Sequence, residues 1–325
     1  MIEVKNLIKK YDNHVALDDL SFFVEKNQVF GFLGPNGAGK STTMNIITGY
    51  LAPTSGSVII NGFDIVANPI EAKQCIGYLP EIPPVYMDMT PYEYLKFVAQ
   101  AKKVDKTQIK DEIDRVMALT NISDVKNRLI KTLSKGYRQR VGMSQALLGN
   151  PQVIILDEPT VGLDPVQIME FRDLIKELGK EHTVIISSHI LSEISEICNK
   201  IMIISKGKLL AIDTPENLSN NLEQERSLLI KVKSTDSSVA ADIISQIEGV
   251  LGVEINQGTD ETATIEIRVN QNLPGLRQKI SESLLDGRCA ILAMEEREMT
   301  LEDIFIKLLG KQKEQNIDIK EEEKC

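Results

Sequence analysis

Residues 29–43 read VFGFLGPNGAGKSTT, and the fold follows from how this stretch is parsed. Gly34 to Ser41 fit the pattern G-x-x-x-x-G-K-[ST], with the strand-like run Val29 to Leu33 before it and the helix-like run Thr42 to Tyr50 after it. Gly34, Gly37 and Gly39 can take positive φ and carry no side chain, so backbone N–H groups between them can turn inward around an anion at a helix start. Pro35, Asn36 and Ala38 complete the loop and Thr42 follows it. Lys40 supplies a point charge for the β and γ phosphates of a nucleotide, and the Ser41 hydroxyl is placed to ligate Mg²⁺.

Composition bounds the rest of the chain. Its 325 residues are enough for two domains, and 42% hydrophobic with 26% charged residues is an ordinary globular balance. A net charge of −10 argues against bulk attraction to nucleic acid, so no nucleic-acid partner is expected. The start MIEVKNLIKKYDN has no signal-peptide core, and no window reaches the length of a membrane span. Cys75, Cys198, Cys289 and Cys325 lack CxxC spacing, which indicates neither a zinc site nor a disulfide framework and fits a reducing cytoplasm.

Upstream of the loop, Met1 to Val29 alternates apolar and polar residues with turns at Asp12-Asn13 and Lys26-Asn27, the pattern of an antiparallel β layer. Tyr11, beside the first turn, is either an exposed aromatic for stacking on a flat base or a half-buried strand residue. Downstream, Val58-Ile59-Ile60 followed by Asn61-Gly62 predicts a hairpin. Ile76 to Leu79 is a strand leading to Glu81, and Thr90-Pro91-Tyr92-Glu93 opens a helix with a capping box. Helical periodicity then runs to Gly149, so a helical subdomain of about residues 88–150 is inserted between two pieces of sheet.

Near the end of that insertion, Ser134 is a good N-cap and Gly136 would let backbone approach a ligand closely. A plain capped helix with a solvated basic turn at Arg138 and Arg140 is the competing reading of the same residues. Val153 to Leu156 is a continuous apolar run ending in Asp157 and Glu158, the pattern of a buried parallel strand whose carboxyl end faces a crevice. Asp157 would hold Mg²⁺, and Glu158 would aim at an attacking water. A further apolar strand, Thr183 to Ile186, ends in Ser187-Ser188-His189, where an imidazole can reach a phosphate or a catalytic water.

Taken in this order, residues 1 to about 215 resemble the ATP-binding cassette family. Gly34 to Thr42 matches its Walker A, Leu133 to Tyr137 its signature motif, and Ile154 to Glu158 its Walker B. Val161 to Asp164 looks like its D-loop, His189 like its switch histidine and Tyr11 like its adenine-stacking aromatic. The resemblance implies an α/β P-loop cassette that binds ATP and Mg²⁺, with Lys40, Glu158 and His189 catalytic and Ser41, Glu81 and Asp157 on the metal. It also implies ATP-driven dimerisation, as a homodimer or paired cassette, with Ser134 and Gly136 facing ATP held by the opposite subunit. Lys135 and Tyr137 depart from the usual LSGGQ, and Glu81 stands where the sensor loop carries glutamine. Both departures look like those of drug, sodium, copper-processing and gliding-related exporters. The expected function is the ATPase subunit of an exporter, cytoplasmic and peripheral on the inner face of the membrane. Separate transmembrane permease subunits would dock on the helical insertion and the loop after Glu81. The alternative is a soluble cassette ATPase acting on ribosomes or DNA, which usually carries two cassettes or a long insertion.

Residues 216–227 are polar and linker-like, and residues 228–310 suggest β-α-β-β-α-β order, a small ferredoxin-like α+β accessory domain. Leu301 to Leu309 is expected as an amphipathic helix and residues 311–325 as a disordered tail.

Overall fold

The computed structural model describes residues 1–220, 225–233, 237–257, 262–270, 275–287 and 289–297. The chain divides into two compact units, Met1–Pro215 and Glu216–Cys325. The predicted helix over Leu301 to Leu309 and the predicted tail lie outside the described residues.

The first unit opens with β1 (Ile2–Tyr11), β2 (His14–Val24) and β3 (Val29–Leu33), followed by α1 (Lys40–Ile47), β4 (Ser55–Ile60) and β5 (Phe63–Asp64). Next come α2 (Pro69–Gln74), β6 (Ile76–Leu79), α3 (Pro91–Ala101), α4 (Ile109–Leu119) and α5 (Lys135–Leu147). It closes with β7 (Val153–Asp157), α6 (Pro165–Glu181), β8 (Thr183–Ser188), α7 (Leu191–Ile197), β9 (Lys200–Ser205) and β10 (Lys208–Asp213).

These strands form two sheets. The antiparallel one has the order β2-β1-β4-β5, and its turns carry the residues such turns demand: Asp12 at φ 48° between β1 and β2, and Asn61 and Gly62 at φ 49° and 92° between β4 and β5. The second sheet, β10-β9-β3-β8-β7-β6, is parallel from β9 to β6, with β10 antiparallel on the edge. Every residue of β3 and β7 is buried, as expected of inner parallel strands covered on both faces. Between the sheets lies the main apolar core, where Phe22, Phe30 and Phe32 meet with ring centroids 5.2–6.0 Å apart and Met44, Ile46 and Ile47 of α1 pack in beside them.

β6 and β7 are hydrogen-bonded neighbours although α3, α4 and α5 separate them in sequence, so the helical segment is an insertion. Thr90 starts it with a complete capping box: its hydroxyl accepts from Glu93 N and its own N–H donates to the Glu93 carboxylate. At the far end, Lys102 Nζ donates to the carbonyls of Gln145, Ala146 and Leu148, closing the C-terminus of α5. Burial pushes the Lys102 ammonium down to about 8.

The second unit contains α8 (Pro215–Asn220), β11 (Glu225–Lys233), α9 (Ser237–Ser245), β12 (Val250–Gln257), β13 (Thr262–Asn270), α10 (Leu276–Asp286) and β14 (Ala290–Arg297). Its sheet has the order β12-β13-β11-β14 with all pairs antiparallel. Ile230, Val232, Ile265 and Ile267 from the sheet are buried with Ala240, Ile244, Ile280 and Leu284 of the two helices. The expected linker over 216–227 needs correcting: Pro215–Asn220 is helical, Leu218 is buried, and strand begins at Glu225. A six-residue helix with one buried apolar side chain carries no periodicity, which is why composition alone reads as a linker. No helix among the described residues is long and apolar enough to cross a membrane.

Candidate functional site

The carboxyl ends of β3, β7 and β8, three strands side by side, converge on one crevice. From β3 the chain passes through Gly34 to Gly39 into α1. Gly37 and Gly39 take φ of 79° and 107°, the left-handed region that disfavours a side chain. Gly34 does not share this conformation, contrary to expectation. It is glycine because a Cβ there would strike the Ile204 carbonyl and the Ile204 side chain on neighbouring β9. Gly39 is constrained twice over, since a Cβ would also meet Leu17 at 2.7 Å. α1 has no acidic residue in its first turn and no side-chain cap, so its leading N–H groups stay available to an anion.

Lys40 is only 6% exposed. Its ammonium donates to the Gly34 carbonyl at 2.7 Å and lies 3.4 Å from Glu158 Oε1. Glu158, also buried, follows the last residue of β7 and holds φ 48°, an uncommon conformation for a side chain of this size. Its N–H donates to the carbonyl and the hydroxyl of Ser187 on β8. Its second carboxylate oxygen meets His189 Nδ1 at 2.8 Å. Lys40, Glu158 and His189 therefore form one continuous polar chain across the mouth of the cradle. A buried ion pair is costly to desolvate, and a ligand bearing negative charge can take over the ammonium while leaving the carboxylate free.

Asp157 lies beneath this chain. Its Oδ1 accepts from Ser187 Oγ at 2.5 Å; burial, and after it the charge of Asp157, pushes the Tyr78 phenol on β6 up to about 12.

An open cleft of about 590 Å³ lies over the cradle. Pro35 to Thr42 line it together with Glu81, Glu158, Val161 and His189 and with Tyr11, His14 and Ala16. Tyr11 is 45% exposed and has the Lys9 ammonium 5.1 Å from its ring centroid, so an aromatic face is presented at the cleft rim. His14 and Ala16 were missed in the sequence, although the Asp12-Asn13 turn sets His14 opposite Tyr11 and so made its position legible.

Four of the expected residues are not in the lining of this cleft: Gly34 and Asp157, described above, and Ser134 and Gly136 at the start of α5. Ser134 caps α5, its hydroxyl accepting from Tyr137 N at 3.3 Å, and Gly136 is buried under the Gln167 side chain of α6. The space above Gly136 belongs to Gln167 within the chain. Arg140 is not part of a solvated basic turn. It is buried, ion-paired to Glu170 and 6.0 Å from the Phe171 ring centroid, tying α5 to α6. The two substitutions in this segment also have contacts: Tyr137 OH donates to Asp124 at 3.0 Å, and the Lys135 side chain lies against Gly162 in the loop before α6.

The family described as ABC transporter matches residues 17–161. The chain is 37% identical over 304 residues to the uncharacterized ABC transporter ATP-binding protein YhcH of Bacillus subtilis (strain 168), covering 92% of this chain and 97% of that protein. It is 34% identical over 312 residues to the bacitracin transport ATP-binding protein BcrA of Bacillus licheniformis, covering 95% and 97%. Among solved structures, an ATP-binding subunit of an ABC transporter superposes with a TM-score of 0.63 at 28% identity, over 69% of this chain and 93% of that one. The dimeric cassette MJ0796 bound to ADP and Pi gives 0.61 at 23% identity, over 66% and 98%, a likeness of fold.

Proposed function

The chain belongs to the ATP-binding subunits of ABC transporters, and on that premise we propose that it powers an exporter by closing on ATP as a dimer with a second cassette. It binds and hydrolyses ATP. The observation that carries the site assignment is the buried Lys40–Glu158 pair continued by the more exposed His189 at the mouth of the glycine cradle.

Tyr11 stacks on adenine, and Gly34 to Thr42 enclose the phosphates. Lys40 leaves Glu158 for the β and γ oxygens, and Glu158, released on that side, accepts the proton of the attacking water. His189 orients the Glu158 carboxylate and reaches the γ-phosphate. Ser134 and Gly136 complete the site of the opposite subunit. The oxygen donors Ser41, Glu81 and Asp157 suit Mg²⁺, whose charge would neutralise the β and γ phosphate oxygens. No group of three His, Cys, Asp or Glu able to hold a metal occurs among the described residues, so such an ion would share its coordination with phosphate and water.

Permease subunits dock on the helical insertion and the loop after Glu81, holding the chain at the inner face of the membrane. A relative named for bacitracin transport and another named for linearmycin resistance support the exporter branch. We read the second unit as a ferredoxin-like accessory domain with a regulatory or dimer-stabilising role; its sheet order supports that reading.

Glu158→Gln tests the assignment. The amide keeps the shape and loses proton acceptance, so ATP should still bind while hydrolysis slows on the order of 10²–10⁴-fold. Size-exclusion chromatography with ATP should show a trapped dimer. Normal turnover would rule Glu158 out as the base.

A further inference from the structure

Glu193, in α7, is a buried carboxylate that the sequence motifs leave without a task. It is 6% exposed, and no Lys or Arg among the described residues pairs with it. Its Oε2 instead accepts from Thr160 Oγ1 at 2.6 Å and from Ser188 Oγ at 3.4 Å. Both hydroxyl residues are buried. Burying a carboxylate against two neutral hydroxyls costs more than burying an apolar side chain of similar size, so the residue is not explained by packing.

Its two partners sit at informative places. Thr160 is two residues after Glu158, in the loop that leaves β7. Ser188 immediately precedes His189 at the end of β8, and its hydroxyl also accepts from Ile190 N at 3.0 Å. One carboxylate oxygen thus joins the loop carrying the base to the loop carrying the histidine. The join matters because Glu158 holds a left-handed conformation that must be fixed from outside, and its 2.8 Å contact with His189 spans these two loops.

We propose that Glu193 is a positioning residue for hydrolysis, a clamp that sets the loop after β7 against the loop after β8 so that Glu158 and His189 meet in register. The proposal rests on the reading of Glu158 as the base. Residues that lock a catalytic pair are held to tolerances of about half an ångström, and a displacement of about 1 Å can cost about 10²-fold in rate.

The test uses the full chain with Glu193→Ala, Glu193→Gln and Thr160→Val, each made alone and in the Glu158→Gln background. Glu193→Ala and Thr160→Val should lower kcat about 10- to 100-fold, with KM for ATP changed less than about threefold. Glu193→Gln keeps an oxygen that accepts from Thr160 and should recover to within about threefold of the parent. In the Glu158→Gln background, single-turnover hydrolysis of labelled ATP should fall less than about twofold further, because there is no base left to position. A merely structural role would lower the rate equally in both backgrounds, and that result, or an unchanged kcat in Thr160→Val, would overturn the clamp. If Glu193→Ala fails to fold, Thr160→Val, which keeps the volume, decides. The Glu158→Gln chain is measured first. A slow Glu158→Gln with unaffected clamp variants refutes the clamp alone, whereas normal turnover by Glu158→Gln refutes the base and the clamp together.

Discussion

Two helix starts in the first unit look alike as sequence and differ as structure. α1 begins after a glycine in left-handed conformation, carries no cap and no acidic residue, and has Lys40 folded back onto the Gly34 carbonyl. α5 begins at Ser134, whose hydroxyl already accepts a backbone N–H, with the space over Gly136 filled by Gln167. At α1 the chain leaves donors open; at α5 it caps one of them, Tyr137 N, internally. An anion site built by one chain must have the first character. The second suits a surface that meets a ligand only after something else brings it there, and its own cap holds it folded in the meantime.

The largest effect should come from breaking the open start. Lys40→Ala removes the ammonium that meets the phosphates and leaves Glu158 without its ion-pair partner. A loss of order several kcal/mol in a partly dehydrated site should put ATP turnover below detection and weaken ATP binding by at least about tenfold. Titration with a fluorescent ATP analogue measures the binding, and circular dichroism shows that the chain is folded. Turnover at the parent rate would mean that the cradle is not the site.

How much of this contrast was legible follows from the range of each signal. The cradle was readable because strand, glycine loop, Lys40 and helix are contiguous, and β7 because four apolar residues run without interruption into Asp157 and Glu158. Short elements were not. α7, seven residues of LSEISEI, has apolar positions too few to set a period, so Glu193 among them drew no notice. The pairing of Lys40 with Glu158 was out of reach, since it depends on β3 and β7 flanking β8 in the sheet and no local pattern encodes that order. Gly136 was legible only in part, for a related reason. A glycine reports only that space is needed, and Gln167, on a different helix, is what uses it.

A smaller effect, and a sharper one for the comparison, comes from mixing lesions at the two starts. Lys40→Ala and Gly136→Asp chains should each fail to occlude ATP alone. If α5 faces ATP on the opposite subunit, the heterodimer collects both lesions in one site and leaves the other intact. Retained labelled nucleotide should then recover to at most one site per dimer under slow-hydrolysis conditions. Because a Cβ at Gly136 also crowds Gln167, the Gly136→Asp chain is repeated with Gln167→Ala, which relieves the crowding and keeps the charge. No recovery, with heterodimers shown by cross-linking, would make α5 an ordinary capped helix.

The smallest effect separates folding from function at the closed start. Ser134 Oγ accepts from Tyr137 N in the isolated chain, so Ser134→Ala should cost about 0.5–2 kcal/mol through the lost cap. That corresponds to a fall in Tm of a few degrees for a unit of this size, read by calorimetry without nucleotide. Were the cap the whole role of Ser134, the loss in ATPase rate would vanish once assays are run well below the lowered Tm. Were Ser134 also to face the opposite subunit's ATP, a rate deficit would persist there, together with weaker ATP-dependent dimerisation at unchanged monomer affinity for ATP. Lys40→Ala should fail at that affinity step instead. Whether Ser134→Ala shifts dimerisation or stability alone therefore decides if the two helix starts differ in kind or only in when they act.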